Sequence, residues 1–376
     1  MRIAQVSHSL DCGGSMAFVV ALSCELRRLG HEIDVVCIDR PSGSAHEALW
    51  LERIAQHGIA FHFLGRKRGA PGGGAAAKLW WIIQQRKYDI VHSHLPMPDA
   101  ISGLVRRLSP HRFVHVVTVH NTLEPRSRAL QALGRGANVV YCSEAVSRRN
   151  PLPGISSVVI PNGIPQGQDV TTIDSRSVVR KEIGVDDAAR ILVGVGRLCP
   201  QKNFGAAIQA LAVLKSRGTI ADLHCLICGD GEDRTALEMQ VRELGIESIV
   251  HFMGARTDVP RLLAASDAFF STSRHEGMPL SVLEALNAGL PCVLSAIQEH
   301  YELAESMPGR VFVSQAPEEI ASGLESTLRH SWASDELRKQ RAILLKKHSI
   351  EHCAQLYERL YQITCGLELL PHMAHP

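Results

Sequence analysis

The chain has 376 residues, 45% apolar and 21% charged, which excludes a disordered, collagenous or coiled-coil protein. Its length suggests two domains at about 150 residues each, and it buries roughly three quarters of the unfolded surface, so no disulfide or metal is required to fold it. The net charge of +2 hides an asymmetry: residues 1–165 hold 19 Lys/Arg against 11 Asp/Glu, the remainder 21 against 27. A basic first half suits an anionic surface or polymer. Aromatics at 5% and the lack of a recognition module argue against nucleic acid.

In chain order, "RIAQVSH" reads as a strand without the apolar run of a secretory leader. Gly13 and Gly14 follow it and allow backbone to approach a bound group closely. A helix "SMAFVVALSCELRRLG" and a strand "HEIDVVCID" come next, then the strand "IAFHFLG" and a loop at 69–77. The helix around "AKLWWIIQQRK" places Trp80 and Trp81 beside Leu79, Ile82 and Ile83, a spacing that predicts core. The strand "YDIVHSH" puts His92 and His94 on one face; without a third ligand in view they read as structural, not metal-binding. "RFVHVVTVH" is a strand, "RALQALGRG" a helix, and "ANVVYCS" a strand ending at Ser143, an N-cap before Glu144. "SSVVIPNG" closes the first series, and the polar, aperiodic stretch 163–178 is the expected boundary.

A second series begins near residue 190. Strands are expected in "RILVGVGRL", "LHCLICGDG", "IVHFMG", "AFFSTS" and "LPCVLSA", alternating with helices in "FGAAIQALAVLKSRG", "RTALEMQVRELGI", "VPRLLAASD" and "PLSVLEALNAG". Cys225 and Cys228 form a CxxC inside a strand, which favours core over redox or zinc chemistry. The closing "SIEHCAQLYERLYQITCGLELL" is an amphipathic helix. Strand–helix alternation with strands apolar on both faces predicts α/β structure: two doubly wound parallel sheets, facing across a cleft, with ligands at the carboxyl ends of the strands. No run is long and apolar enough to span a membrane, so the protein is expected in the cytoplasm, at most peripheral on the inner membrane face.

Three loops carry chemistry. In "STSRHEGMPLSVLEALNAGLPC", Glu276 precedes a helix entered through Pro279, and Glu284 follows two turns in. Backbone N–H groups of Gly277, Met278, Leu280 and Ser281 at the helix start favour a phosphate, and a carboxylate alongside suits the vicinal hydroxyls of a ribose. In "VGVGRLCPQKN", Arg197 and Lys202 on a post-strand loop can neutralise a diphosphate. "CGDGEDR" is a second glycine-rich strand exit that could border a nucleobase. No Asp-x-Asp pair stands after a strand, so a bound diphosphate is expected to be held by cations and helix amides, without metal.

On "DCGGSMAFVVALSCELRRLGHEIDVV", "YDIVHSH", "TVHN", "CSEAVSRR", "VIPNGI", "GVGRLCPQKNF", "ICGDGEDR", "ASDAFFSTSRHEGMPLSVLEALNAGLPCV" and "HSIEHCAQLYERLY", in this order over nearly the whole chain, the sequence resembles the retaining glycosyltransferases of family 4 (group 1), which have the GT-B fold. The resemblance implies a hexosyltransferase using a nucleotide-diphosphate sugar, with a glycan or lipid-linked acceptor, in cell-surface polysaccharide or lipopolysaccharide synthesis, and no cofactor. It implies that Arg197 and Lys202 hold the donor diphosphate and that Glu284 binds the nucleotide ribose. Glu276 and His120 would face the transferred sugar, Gly277, Met278 and Leu280 give backbone contacts, and Gly13 and Gly14 lie near diphosphate and acceptor. Where the family commonly has Glu-Gly-Phe-Gly, this chain has Glu276-Gly277-Met278-Pro279. The implied division is an acceptor-binding domain at 1–165, completed by a returning helix at about 355–376, and a donor-binding domain at 178–354. A GT-B phosphorylase or epimerase, or a non-catalytic sugar-nucleotide or glycan-binding protein, is the alternative. Retention implies either a nucleophilic Glu276 or a front-face substitution.

The basic residues Arg66, Lys67, Arg68, Arg86, Lys87, Arg106 and Arg107 are expected to hold the first domain near anionic lipid.

Overall fold

A computed structural model describes residues 1–10, 13–121, 136–152, 155–165, 173–220, 222–305, 307, 309–330 and 334–367. The chain divides into two compact units, Met1–Pro165 with His348–Pro376, and Gln166–Lys347.

The first unit runs β1 (Arg2–Ser7), α1 (Gly14–Arg28), β2 (Glu32–Asp39), α2 (Ala45–Gln56), β3 (Ala60–Arg66), α3 (Gly73–Arg86), β4 (Ile90–His94), α4 (Pro96–Leu108), β5 (Val114–Val119), β6 (Asn138–Tyr141), α5 (Glu144–Arg149) and β7 (Ser157–Val159). Its seven strands lie in the order β3-β2-β1-β4-β5-β6-β7. Every pairing is parallel. The interiors of β1, β2, β4 and β5 are buried on both faces, as expected for strands covered by helices on both sides. On one face Ala4, Val6, Val36 and Val91 pack against Ala75, Leu79 and Ile83 of α3 and Ile101 and Val105 of α4.

The second unit runs α6 (Ile173–Glu182), β8 (Arg190–Val195), α7 (Phe204–Arg217), β9 (Leu223–Cys228), α8 (Arg234–Glu243), β10 (Val250–Gly254), α9 (Val259–Ala265), β11 (Ala268–Ser271), α10 (Leu280–Asn287), β12 (Cys292–Ser295), α11 (Gln298–Ala304), β13 (Arg310–Val313), α12 (Pro317–Arg329) and α13 (Ser334–His348). Its parallel sheet has the order β10-β9-β8-β11-β12-β13. Leu192, Cys225, Ile227, Phe270 and Val293 meet Ile208 and Leu211 of α7 and Ile320 and Leu324 of α12 in its core. The last helix, α14 (Ile350–Thr364), belongs to the first unit, where it packs on α1.

Each sheet reverses its strand order once, between β1 and β4 and between β8 and β11. The loops leaving those strands diverge to opposite sides, and open α/β sheets bind ligands there.

Four local readings of the sequence need correction. The loop expected at 69–77 ends at Gly72, because the alanines at 75–77, the strongest helix formers, carry α3 back to Gly73. The aperiodic stretch 163–178 carries α6 from Ile173. That helix is tied down by charge: Arg176 and Arg180 meet Asp267 at 2.8 and 3.2 Å. The last helix, expected at about 355–376, starts earlier, at Ile350, with Ser349 Oγ accepting from His352 N–H, and runs to Thr364; residues 368–376 lie outside the described residues. Pro279 caps α10 and does not occupy its first turn. The helix expected in "RALQALGRG" lies outside the described residues apart from its last position. Cys225 and Cys228 are core residues, 0% and 1% exposed. Among the described residues no helix is long and apolar enough to cross a membrane.

Candidate active site

In the second unit, the β8 and β11 exits lie side by side at the sheet reversal. Lys202 Nζ is 2.5 Å from Glu276 Oε1, which also accepts from Ser273 Oγ at 2.6 Å. Gln201 Nε2 donates to the carbonyl of His275 at 3.0 Å and Arg274 N–H to the carbonyl of Gln201 at 2.8 Å, so the two loops are laced together. Thr272 Oγ1 donates to the carbonyl of Asn203 at 3.0 Å. Glu276 is 5% exposed. Burial alone would raise its pKa, but the Lys202 charge and the hydrogen bonds from Lys202 and Ser273 outweigh it and hold the carboxyl below its ordinary value.

Arg197 stands on the same β8 exit as Lys202, exposed and without an ion pair among the described residues. Its loop is fixed by the backbone. Gly196 N–H donates to the carbonyl of Cys228 at 2.9 Å, and Leu198 N–H to that of Asp230 at 3.0 Å. Glycine is required at 229 and 231 because a Cβ there would stand 1.8 Å from Gly196 O and 2.2 Å from Leu198 O. The glycines of "CGDGEDR" thus let one strand exit brace the other.

Beyond Glu276, Gly277 and Met278 lead to α10. The N–H groups of Leu280 and Ser281 have no acceptor among the described residues, as at any helix start. Glu284 projects from the second turn of α10, half-buried and without a donor or cation among the described residues, and burial pushes its carboxyl up to about 7. A carboxylate in that state gains from neutral hydroxyl donors, which satisfy it without adding charge.

In the first unit, His120 is the residue after β5. Its Nε2 lies 3.0 Å from His94 Nδ1, and its Nδ1 is buried without a partner among the described residues. Burial pushes His120 down to about 4, so the ring is neutral at neutral pH. Phe18 of α1 stands edge-on to it at 5.6 Å. Gly13 and Gly14 open α1, and a Cβ at Gly13 would meet nothing within 4 Å among the described residues. His92 and His94 spend their ring nitrogens on Tyr361, Thr118, Gln5 and His120. Among the described residues no three His, Cys, Asp or Glu side chains form a metal-ligand group. Ser143 caps α5, accepting from Val146 N–H at 3.2 Å.

Sequence reasoning missed Gln201, Ser273, Gln5 and the two tyrosines of α14. Ser273 had one weak signal, its place three residues before Glu276; Gln5 and Tyr361 are 356 positions apart and had none.

The basic face differs from expectation. Arg66 is 7% exposed and paired with Asp39 at 2.7 Å. Arg86 grips Asp34 with two nitrogens, each at 2.8 Å. Burial would raise Asp34, but hydrogen bonds from His62, Arg86 and Tyr88 hold it well below the carboxylate range. These two arginines are structural. Trp80 and Trp81 are 37% and 60% exposed, not core, and Leu104 and Leu108 of α4 are 38% and 66% exposed. Trp80 Nε1 donates to the carbonyl of Leu108 at 3.4 Å, which ties α3 to the end of α4.

Known proteins match both halves. The family model described as glycosyl transferases group 1 matches residues 175–343, and that of glycosyltransferase family 4 matches residues 12–167. The UDP-Gal:alpha-D-GlcNAc-diphosphoundecaprenol alpha-1,3-galactosyltransferase of Escherichia coli is 29% identical over 58% of this chain and 60% of its own length. The N-acetyl-alpha-D-glucosaminyl L-malate synthase of Bacillus anthracis is 28% identical over 58% of this chain and 59% of its own. The chain therefore spans about three fifths of these relatives. Anabaena HepE, solved with UDP-glucose, superposes with a TM-score of 0.82 at 21% identity, over 96% of this chain and 100% of that one. The two doubly wound sheets are those of the GT-B glycosyltransferases, and the chain belongs to glycosyltransferase family 4, group 1.

Proposed function

We propose that the protein transfers a sugar, with retention of configuration and without metal, from a nucleotide-diphosphate sugar to a glycan or lipid-linked acceptor. The observation that carries this reading is the Lys202–Glu276 pair at the sheet reversal, beside the unpaired Arg197 on the same exit. Departure of a nucleoside diphosphate needs positive charge at the developing anion. Arg197 and Lys202 supply it, with the amides of Gly277, Met278 and Leu280 as backbone donors. Glu284 takes the ribose hydroxyls, and His120 and Glu276 take hydroxyls of the transferred sugar. Gly13 and Gly14 leave room for diphosphate and acceptor.

Glu276 Oε1 already accepts from Lys202 and Ser273, and its pKa is held down. A carboxylate so engaged is a poor nucleophile. The reading therefore favours front-face substitution. The anomeric C–O bond to phosphate breaks, the acceptor oxygen bonds to the same face, and the departing phosphate oxygen takes the acceptor's proton. A lipid-linked acceptor agrees with the acceptor printed in the E. coli relative's name.

The reading extends to peripheral contact with an anionic inner membrane face. Trp80, Trp81, Leu104 and Leu108 supply the apolar surface, and exposed Lys87 and Arg107, which end α3 and adjoin Leu108, supply charge.

The test is a thermal-shift panel of nucleoside diphosphates and their sugars. A specific ligand at 100 times its Kd adds about 2.7 kcal/mol of stability. Arg197→Ala should leave the unliganded midpoint in place, since Arg197 has no ion pair to lose among the described residues, and abolish the ligand shift. A panel without any shift, or a variant that keeps it, refutes the reading.

A further inference from the structure

A line of buried neutral groups runs from α14 to His120. Tyr361 OH is 2.7 Å from His92 Nδ1 and 3.5 Å from Gln5 Nε2. Gln5 Oε1 is 2.7 Å from His94 Nε2, and His94 Nδ1 is 3.0 Å from His120 Nε2. Gln5, His92, His94 and Tyr361 are all fully buried.

Each joint needs one donor and one acceptor, so the proton positions depend on one another. An amide nitrogen only donates and an amide oxygen only accepts, and a neutral imidazole carries one N–H. With Gln5 Nε2 directed at the phenol, Gln5 Oε1 accepts from His94 Nε2–H. His94 Nδ1 is then a lone pair and accepts from His120 Nε2–H. His120 Nδ1 is left as a lone pair, on the buried atom without a partner among the described residues. The opposite polarity would place a proton there, a buried N–H without acceptor, which folded proteins tolerate less than an idle lone pair. Burial keeps the three rings neutral, holding His92 and His94 well below the ordinary histidine value.

We infer that Gln5, His94 and Tyr361 are positioning residues that fix His120 as the Nε2–H tautomer and so present its Nδ1 as an acceptor for a ligand hydroxyl. The tautomer stands on the geometry alone; its effect on turnover rests on the reading that His120 meets the transferred sugar. A ring already in the accepting tautomer need not exchange protons when the ligand arrives, which is the benefit of a preorganised group.

Long-range proton–nitrogen correlation on full-length protein labelled with 15N-histidine tests this, with His120 assigned by its loss in His120→Gln. The wild type should show a protonated Nε2 and a bare Nδ1. Tyr361→Phe keeps the ring but removes the phenol that orients Gln5, and Gln5→Leu removes the relay itself. In both, His120 should populate both tautomers, and kcat should fall roughly two- to ten-fold while affinity for nucleoside diphosphate alone stays constant. A proton on wild-type Nδ1, or both variants keeping the wild-type tautomer, overturns the proposal. If neither variant folds, the wild-type spectrum decides alone. Mixed tautomers with unchanged kcat would uphold the relay and instead remove His120 from the transferred sugar.

Discussion

Lys202 and Glu276 cannot be judged by removing one of them. Glu276 is buried, and losing its cation strands a charge, which typically costs about 3–5 kcal/mol. Lys202→Ala should therefore be strongly destabilised in urea, and Lys202→Ala with Glu276→Gln should recover most of the loss without recovering nucleoside diphosphate binding. Additive losses in that cycle would mean the pair is not coupled. Glu284 behaves oppositely. Its carboxyl is raised from 4.5 to about 7, so the folded state holds the proton more tightly than the unfolded chain. Stability then declines as pH rises from 4.5 to about 7 and stays lower above, by on the order of 3 kcal/mol. Glu284→Gln should stabilise the unliganded protein at pH 8 and leave it unchanged at pH 4. Ligand hydroxyls that bond the carboxylate should lower this pKa, so calorimetry near pH 7 in buffers of different ionisation enthalpy should detect proton release. A buffer-independent heat would contradict that role. Both glutamates were legible as a helix-mouth and helix-flank pair. Their opposite shifts were not, because these depend on which neighbours the fold brings: the Lys202 cation for one and, among the described residues, burial alone for the other.

Among the elements, the exits of β8 and β9 act as one piece. Gly231 is required because backbone of residue 198 occupies the place of its Cβ. Gly231→Ala should displace the loop carrying Arg197, costing about 1–3 kcal/mol and weakening nucleoside diphosphate binding well beyond that of a surface alanine substitution. Unchanged binding by titration would show that the brace does not set the loop. The sequence marked both exits as glycine-rich and post-strand, since strand periodicity and glycine are local signals. That one glycine serves its neighbour strand is a pairing property, invisible in a linear reading. The same limit explains α6: Ile173–Glu182 lacks an apolar stripe because its anchor is the Arg176 and Arg180 contact with Asp267. Alternation of apolar runs was enough to give two doubly wound sheets, because buried parallel strands must be apolar on both faces.

For the whole molecule, composition gave a basic first half, but Arg66 is buried against Asp39 and Arg86 is engaged by Asp34, which changes which residues a membrane can meet. Charge reversal at Arg66 would break an internal pair and test folding instead. The informative variant is Trp81→Ala, 60% exposed in the native protein. It should keep the thermal midpoint and bind anionic vesicles several-fold more weakly, with wild-type binding falling as salt rises. Equal sedimentation with vesicles of wild type and variant would exclude the tryptophan surface. The tryptophans were misplaced because helical spacing beside Leu79 and Ile83 resembles a core stripe, whereas α3 turns only its other side to the sheet.

The placement of α14 has a consequence for synthesis. The strands of the first sheet leave the ribosome early, yet the phenols that cover His92 and Thr118 come from Tyr357 and Tyr361. Until α14 is made, the His92 ring and the Thr118 hydroxyl lack those two partners. The part of the protein made first is thus the part finished last, and a nascent chain stalled within the second unit carries an unsealed N-terminal sheet for chaperones to shelter.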